Sequence, residues 1–226
     1  MKSIWKTLIA VFLTSCIAAS LSGCGSSESE DSDSSTSSES TEETTEAETE
    51  DPDAVTIDGV FELTYNPNKI PDDMAETIAQ YFYAIHEQDY DLYAAQINEI
   101  YFEAMDAILE EEYGYDMETE FTQYYEALAE YAGSEDYTIT AISLGLAEEV
   151  LADKYDEDED FVGEYLETYG EFLGEDFLTE LEESSDGIYD IAMVMTGEDA
   201  DGNEITIFDQ LEILIVETDG SYSVLG

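Results

Sequence analysis

The chain has no arginine, and its only four basic residues are lysines, set against 59 Asp and Glu in 226 residues. Phosphates need Lys and Arg to neutralise them, so this poverty of positive charge excludes nucleic acid as a partner. It also works against anionic polymers and favours cations and basic partners. Cysteine is nearly missing too. Cys16 and Cys24 both fall in the first 24 residues. Beyond them there is no disulfide framework, no thiol nucleophile and no cysteine-based metal site. Long apolar runs are lacking as well. The stretch from about Leu8 to Ala19 is short of the roughly 20 residues that a membrane-spanning helix needs.

What is present first is an address. Lys2 and Lys6 precede the apolar run, and the small residues Ser22 and Gly23 follow it, the layout of a secretory signal peptide. The next residue is a cysteine. Leu21-Ser22-Gly23-Cys24 resembles the lipobox of bacterial lipoproteins. The resemblance implies a diacylglyceryl group on Cys24 Sγ, cleavage after Gly23 and a mature chain that begins at the lipid-modified cysteine. An ordinary signal peptide would make a cysteine at the cut an accident. Residues 1–23 are therefore expected to be a signal peptide, and the protein to sit on the extracytoplasmic face of the cell membrane, held by lipid. Once they are removed, Lys69 and Lys154 are the only bases left against all 59 acids, a formal charge of −57. Bacterial surfaces are mostly anionic, so the lipid must supply the whole attraction, and two or three acyl chains suffice where one is marginal.

Residues 24–54 are expected to form a tether. Ser26-Ser27-Glu28-Ser29-Glu30-Asp31-Ser32-Asp33 continues through Thr41–Glu46 with almost nothing apolar, too little to offset the entropy of ordering. A coil of about 30 residues spans roughly 30 Å, and self-repulsion lengthens it. Residues 55–226 are expected to fold as one domain. The residues from Val55 to Tyr65 predict a short strand or extended lead-in. Met74, Ile78, Tyr81, Phe82 and Ile85 share a helical face after Pro71-Asp72-Asp73. A second helix is predicted from about Tyr90 through Leu109, and a third, with Met117, Phe121, Tyr124, Tyr125 and Leu128, ends at Gly133. Tyr137–Leu146 predicts a strand, 147–183 short helices, and 188–225 an antiparallel meander with turns at 199–203 and 218–220.

Helices followed by an antiparallel sheet make an α+β class. The Met74–Ile85 helix, the Asp89-Tyr90-Asp91-Leu92 break and the hairpin ending Ile213–Val224 resemble the nuclear-transport-factor-2-like (SnoaL-like) superfamily, over about residues 70–226. The resemblance implies a curved sheet wrapped by helices into a cone with a pocket. That family includes enzymes and binding modules, so the fold does not choose between them.

Three groups of residues bear on chemistry. A turn at Asp201-Gly202 pairs residue 200 with 203, which places Asp190 and Asp209 on one sheet face among apolar neighbours. Burial there would raise their pKa values toward general acid or base work. Their spacing along the strand is about 13 Å at 3.3 Å per residue, too far for a shared proton. A β-bulge at Asp209-Gln210 would instead turn Asp209 to solvent. Asp156, Asp158, Asp160 and Glu167 match positions 1, 3, 5 and 12 of a calcium loop, but Phe161 stands where that loop needs glycine. A solvated acidic run is the default there. His86, the single histidine, is expected to serve the end of its helix. Tyr81, Tyr101, Tyr124 and Tyr125 fit helix faces, where packing and ligand contact look alike. No cofactor is expected. The expected function is binding of a small ligand or an envelope protein partner; the alternative is a pocket hydrolase, isomerase or dehydratase using a buried carboxylate.

Overall fold

Val55–Asp58 (β1) turns back at Gly59 and pairs antiparallel with Glu62–Tyr65 (β2). The computed structural model describes residues 53–152 and 161–226, and Asp53–Gly226 is one compact unit. Helix α1 (Asp72–Glu87) starts after Pro71, with Asp72 and Asp73 in its first turn, where acids complement the helix dipole. It buries Met74, Ile78, Tyr81, Phe82 and Ile85 along one face and stops at Gln88, whose φ is 56°.

The second expected helix is two. Helix α2 (Tyr90–Gln96) is capped by Asp89, which accepts from Leu92 N at 3.0 Å. Helix α3 (Glu99–Ile108) starts anew at Asn98, whose side chain accepts from Tyr101 N at 3.2 Å. The break turns the inner face, so Tyr93 and Met105 are buried where Leu92 and Ile108 are only half-buried. A π-helical turn, Leu109–Tyr113, leads to α4 (Met117–Phe121) and α5 (Tyr124–Ala132), which ends at Gly133 with φ 65°. Then come β3 (Tyr137–Leu146), α6 (Ala147–Val150), α7 (Phe161–Leu173) and α8 (Glu175–Ser184). The long meander of β4 (Gly187–Asp199), β5 (Glu204–Thr218) and β6 (Ser221–Leu225) follows.

The class is α+β: helices precede most of a six-stranded sheet ordered β1-β2-β3-β4-β5-β6. The sheet is mixed, which corrects the expectation of an antiparallel one. Strand β2 runs parallel to β3, because the helices between them form the crossover that a parallel neighbour requires. The sheet is open. At the β6 edge, Ile97 bridges Val224 and Asn98 N donates to Val224 O at 2.9 Å.

One face of the sheet carries Leu63, Ile142, Met193, Ile215 and Val224, all at most 2 % exposed. Helix α1 belongs to this side, since Tyr65 Oη donates to Asp72 Oδ1 at 2.8 Å. The other face carries Asp190, Ala192, Glu212, Leu214 and Leu225 and receives α6 and α7. Ala147 and Leu151 pack on Ala192, and Gly145 lets Val150 come close to the strand.

Candidate functional site

The β4–β5 hairpin decides which carboxylates meet. Its loop is closed by Asp199, whose N donates to Asn203 O at 2.9 Å and whose Oδ1 accepts from Asp201 N and Asn203 N. Gly202 takes a φ of 77° there. Pairing begins at Glu198↔Glu204, then shifts twice, and the inner half pairs Asp190↔Leu214, Ala192↔Glu212 and Met193↔Leu211. Between Met193↔Leu211 and Met195↔Phe208, Val194 is opposed by both Asp209 and Gln210. This is the bulge considered from sequence, and Asp209 is exposed on it. The expected common face of Asp190 and Asp209 is therefore corrected. The expected register differs from the observed one by a single residue, and one residue of slip exchanges the two faces of a strand.

Asp190 instead meets Glu212, two residues along β5 from its direct partner Leu214 and on the same face. Both Asp190 oxygens are buried, and neither accepts a bond from an N–H or hydroxyl donor. Burial first, and the Glu212 charge second, push the Asp190 carboxyl up to about 7. The Glu212 side chain is within hydrogen-bonding reach, but two carboxylates can bond only when one holds a proton. Across from them, Tyr165 Oη on α7 donates to Glu212 Oε2 at 3.0 Å. The pattern of half-buried residues points to Tyr165 as an inner position of α7. Glu212 has no such signal, because its place depends on the bulge.

The tyrosines gather around the β6 end of the sheet. Tyr93 and Tyr101 are fully buried, and their hydroxyls lie near those of Tyr81, Tyr124 and Tyr169. Burial pushes each hydroxyl well above its usual range. Tyr81 Oη donates to Gly226 O at 3.3 Å and Tyr169 Oη to Leu225 O at 3.0 Å. Beside them, Glu120 is 5 % exposed and is raised by burial, partly offset by a bond from Tyr115. These residues pack rather than face solvent. Tyr125 stacks on Tyr137. His86 is tied down, with Nε2 3.1 Å from Tyr137 O and Nδ1 2.9 Å from Glu87 Oε1.

An open groove of about 760 Å³ runs between the end of α1 and α5. Gln88, Thr122, Tyr125, Glu126, Glu130 and Glu135 line it, among other residues. Its three glutamates are exposed, so it offers a negatively charged, solvent-open trough with an aromatic wall.

Of the calcium-loop residues, Asp156, Asp158 and Asp160 lie outside the described residues, and Glu167 is exposed on α7. Among the described residues no three His, Cys, Asp or Glu are placed to hold a metal. Gly23 and Cys24 also lie outside them. Among the described residues no helix is long and apolar enough to cross a membrane. No family model, curated protein or solved structure matches the chain.

Proposed function

We propose that the protein is a lipid-anchored lipoprotein of the extracytoplasmic membrane face, whose α+β domain binds a cationic small ligand or a basic segment of an envelope protein. The observation that carries the anchoring is Leu21-Ser22-Gly23-Cys24 after a basic and apolar leader. What favours a cationic partner is the groove with Glu126, Glu130 and Glu135 beside Tyr125, on a chain with four lysines in all. Kinship with nuclear-transport-factor-2-like domains belongs to the same proposal. It is supported by the helices that precede strands β3 to β6 and by the closing meander, while the leading β1–β2 hairpin and the parallel β2–β3 pair are departures from it.

The test of anchoring is Cys24→Ala. Wild type should partition into detergent and take up a palmitate analogue, and the variant should do neither. Equal labelling of the two would overturn the anchor. Glu126→Gln with Glu130→Gln should weaken capture of a basic partner by the anchored protein without changing its membrane partition.

A pocket enzyme is favoured by one observation, the raised Asp190 carboxyl beside Glu212 and Tyr165. A general acid or base must reach its substrate within about 3 Å. Both Asp190 oxygens are shut off from the surface, which sets this second in order.

A further inference from the structure

Asp190 has both oxygens buried with no donor bonded to them. From β5 it is faced by Glu212, and from α7 Tyr165 reaches that same glutamate at 3.0 Å. On the β3 side, Leu146 and Gly145 oppose Ile191 and Ala192 and bring no charge. Helix α6 presents Ala147 and Leu151. Its Glu148 and Glu149 are exposed, and Glu149 pairs with Lys69 at 2.8 Å. Glu164 and Glu167 of α7 are exposed too. Among the described residues, then, the carboxyl partner is Glu212 and no cation faces Asp190. Beyond Tyr165, α7 is also attached to the sheet by Tyr169 Oη, which donates to Leu225 O.

We propose that Asp190 and Glu212 form a proton-operated latch for α7: one proton held between the two carboxyls keeps Tyr165 and its helix seated on β4 and β5, and its loss releases them. With the proton in place, one carboxyl donates to the other and Tyr165 completes the acceptor side. Without it, two like charges are held together with the Asp190 oxygens shut off from water. They separate by turning toward water, and the Tyr165 bond goes with Glu212. The direction with pH follows from linkage. In the folded chain the latch is closed below about 7, and because an unfolded aspartate gives up its proton near 4, the stability it contributes is complete below about 4 and is lost as pH rises through about 7. The latch stands apart from the groove and does not depend on anchoring or on a basic partner.

Hydrogen exchange of the α7 amides tests it, corrected for the intrinsic rate, at pH 5.5 and 8.5, on the whole mature protein. The β3 amides are the internal reference. In wild type, α7 protection should fall at least about tenfold between the two, the equivalent of one unit of differential proton binding, while β3 stays constant. Asp190→Asn supplies a permanent donor to Glu212, and its α7 protection should change less than about twofold, within a fraction of such a unit. Glu212→Gln supplies the donor from the other side and should flatten the profile in the same way. Infrared difference spectra at pH 6, wild type minus Asp190→Asn, should show a protonated-carboxyl band that the variant loses. A wild-type profile with no pH change in α7, a β3 decline in step with α7, or unaltered pH dependence in both variants overturns the latch. If Asp190→Asn does not fold, Glu212→Gln and the wild-type exchange profile still decide it.

Discussion

Single hydroxyls in the tyrosine cluster are not worth the same. Tyr169 Oη satisfies Leu225 O at 3.0 Å on an edge strand. Tyr169→Phe leaves that carbonyl without its donor and should cost about 1–2 kcal/mol, the penalty of a buried group left unmade. Tyr93 Oη is buried without a bond of good geometry, although Tyr81 and Tyr124 stand near it. Tyr93→Phe removes a group that is hard to satisfy and should cost under about 0.5 kcal/mol. Urea unfolding of both variants checks this, and the reverse order would contradict the placement of these hydroxyls. Residue by residue, burial is what the chain makes legible: Met74, Ile78 and Ile85 declare their face by spacing. Asp190 is visible as an acid in an apolar run. Its partner is not, since Glu212 and Asp209 are equally acidic and only the bulge between them selects one.

Elements repeat that lesson at larger size. Helix α1, strand β3 and the β4–β5–β6 meander follow from periodicity and from turn residues such as Gly202 and Gly220. Register does not, because it depends on contacts that no pattern encodes. Gly197 is such a contact. A Cβ there would lie 2.3 Å from Thr138 O, beside the β3–β4 irregularity between Ile139 and Ala141. The obstacle is backbone and cannot swing aside. Gly197→Ala should therefore lose about 1–3 kcal/mol, the usual cost of overpacking. Gly145→Ala meets Val150 Cγ2 at the same 2.3 Å, but Val150 is 52 % exposed and can change rotamer. It should lose less than Gly197→Ala in the same denaturation experiment. The parallel β2–β3 pair was equally illegible, since β2 is four residues long and its partners, as in Leu63↔Ile142, lie 79 positions away. Asn98 is a further case. Its cap on α3 and its bond to Ser223 Oγ at 3.2 Å break a run whose apolar spacing reads as one helix.

For the molecule as a whole, charge is the dominant fact. With 59 acids and four lysines, folding brings like charges together, and salt screens them over a Debye length of about 10 Å at 0.1 M. Sodium chloride should raise the melting temperature steadily between 10 and about 300 mM, a range that spans this screening, as read by calorimetry. A flat response would mean that the carboxylates are too far apart to repel. Calcium should act by the same screening, without a saturable heat signal. A stoichiometric signal lost on Asp158→Asn would instead establish a metal loop. The open edge at β1 has a consequence of another kind. The chain enters the domain at residue 53 and meets β1 at once, through the pair Val55↔Tyr65. Tension arriving from an anchored Cys24 would load that pair first and peel β1 from β2 toward the turn at Gly59. All four β1 residues are exposed, so peeling uncovers little apolar surface and leaves Leu63 and Tyr65 seated. Residues 53–60 would then span about 25 Å in all at roughly 3.3 Å per residue, free to turn along the line of pull, which would make the first strand a mechanical fuse that gives way while the rest of the domain stays folded.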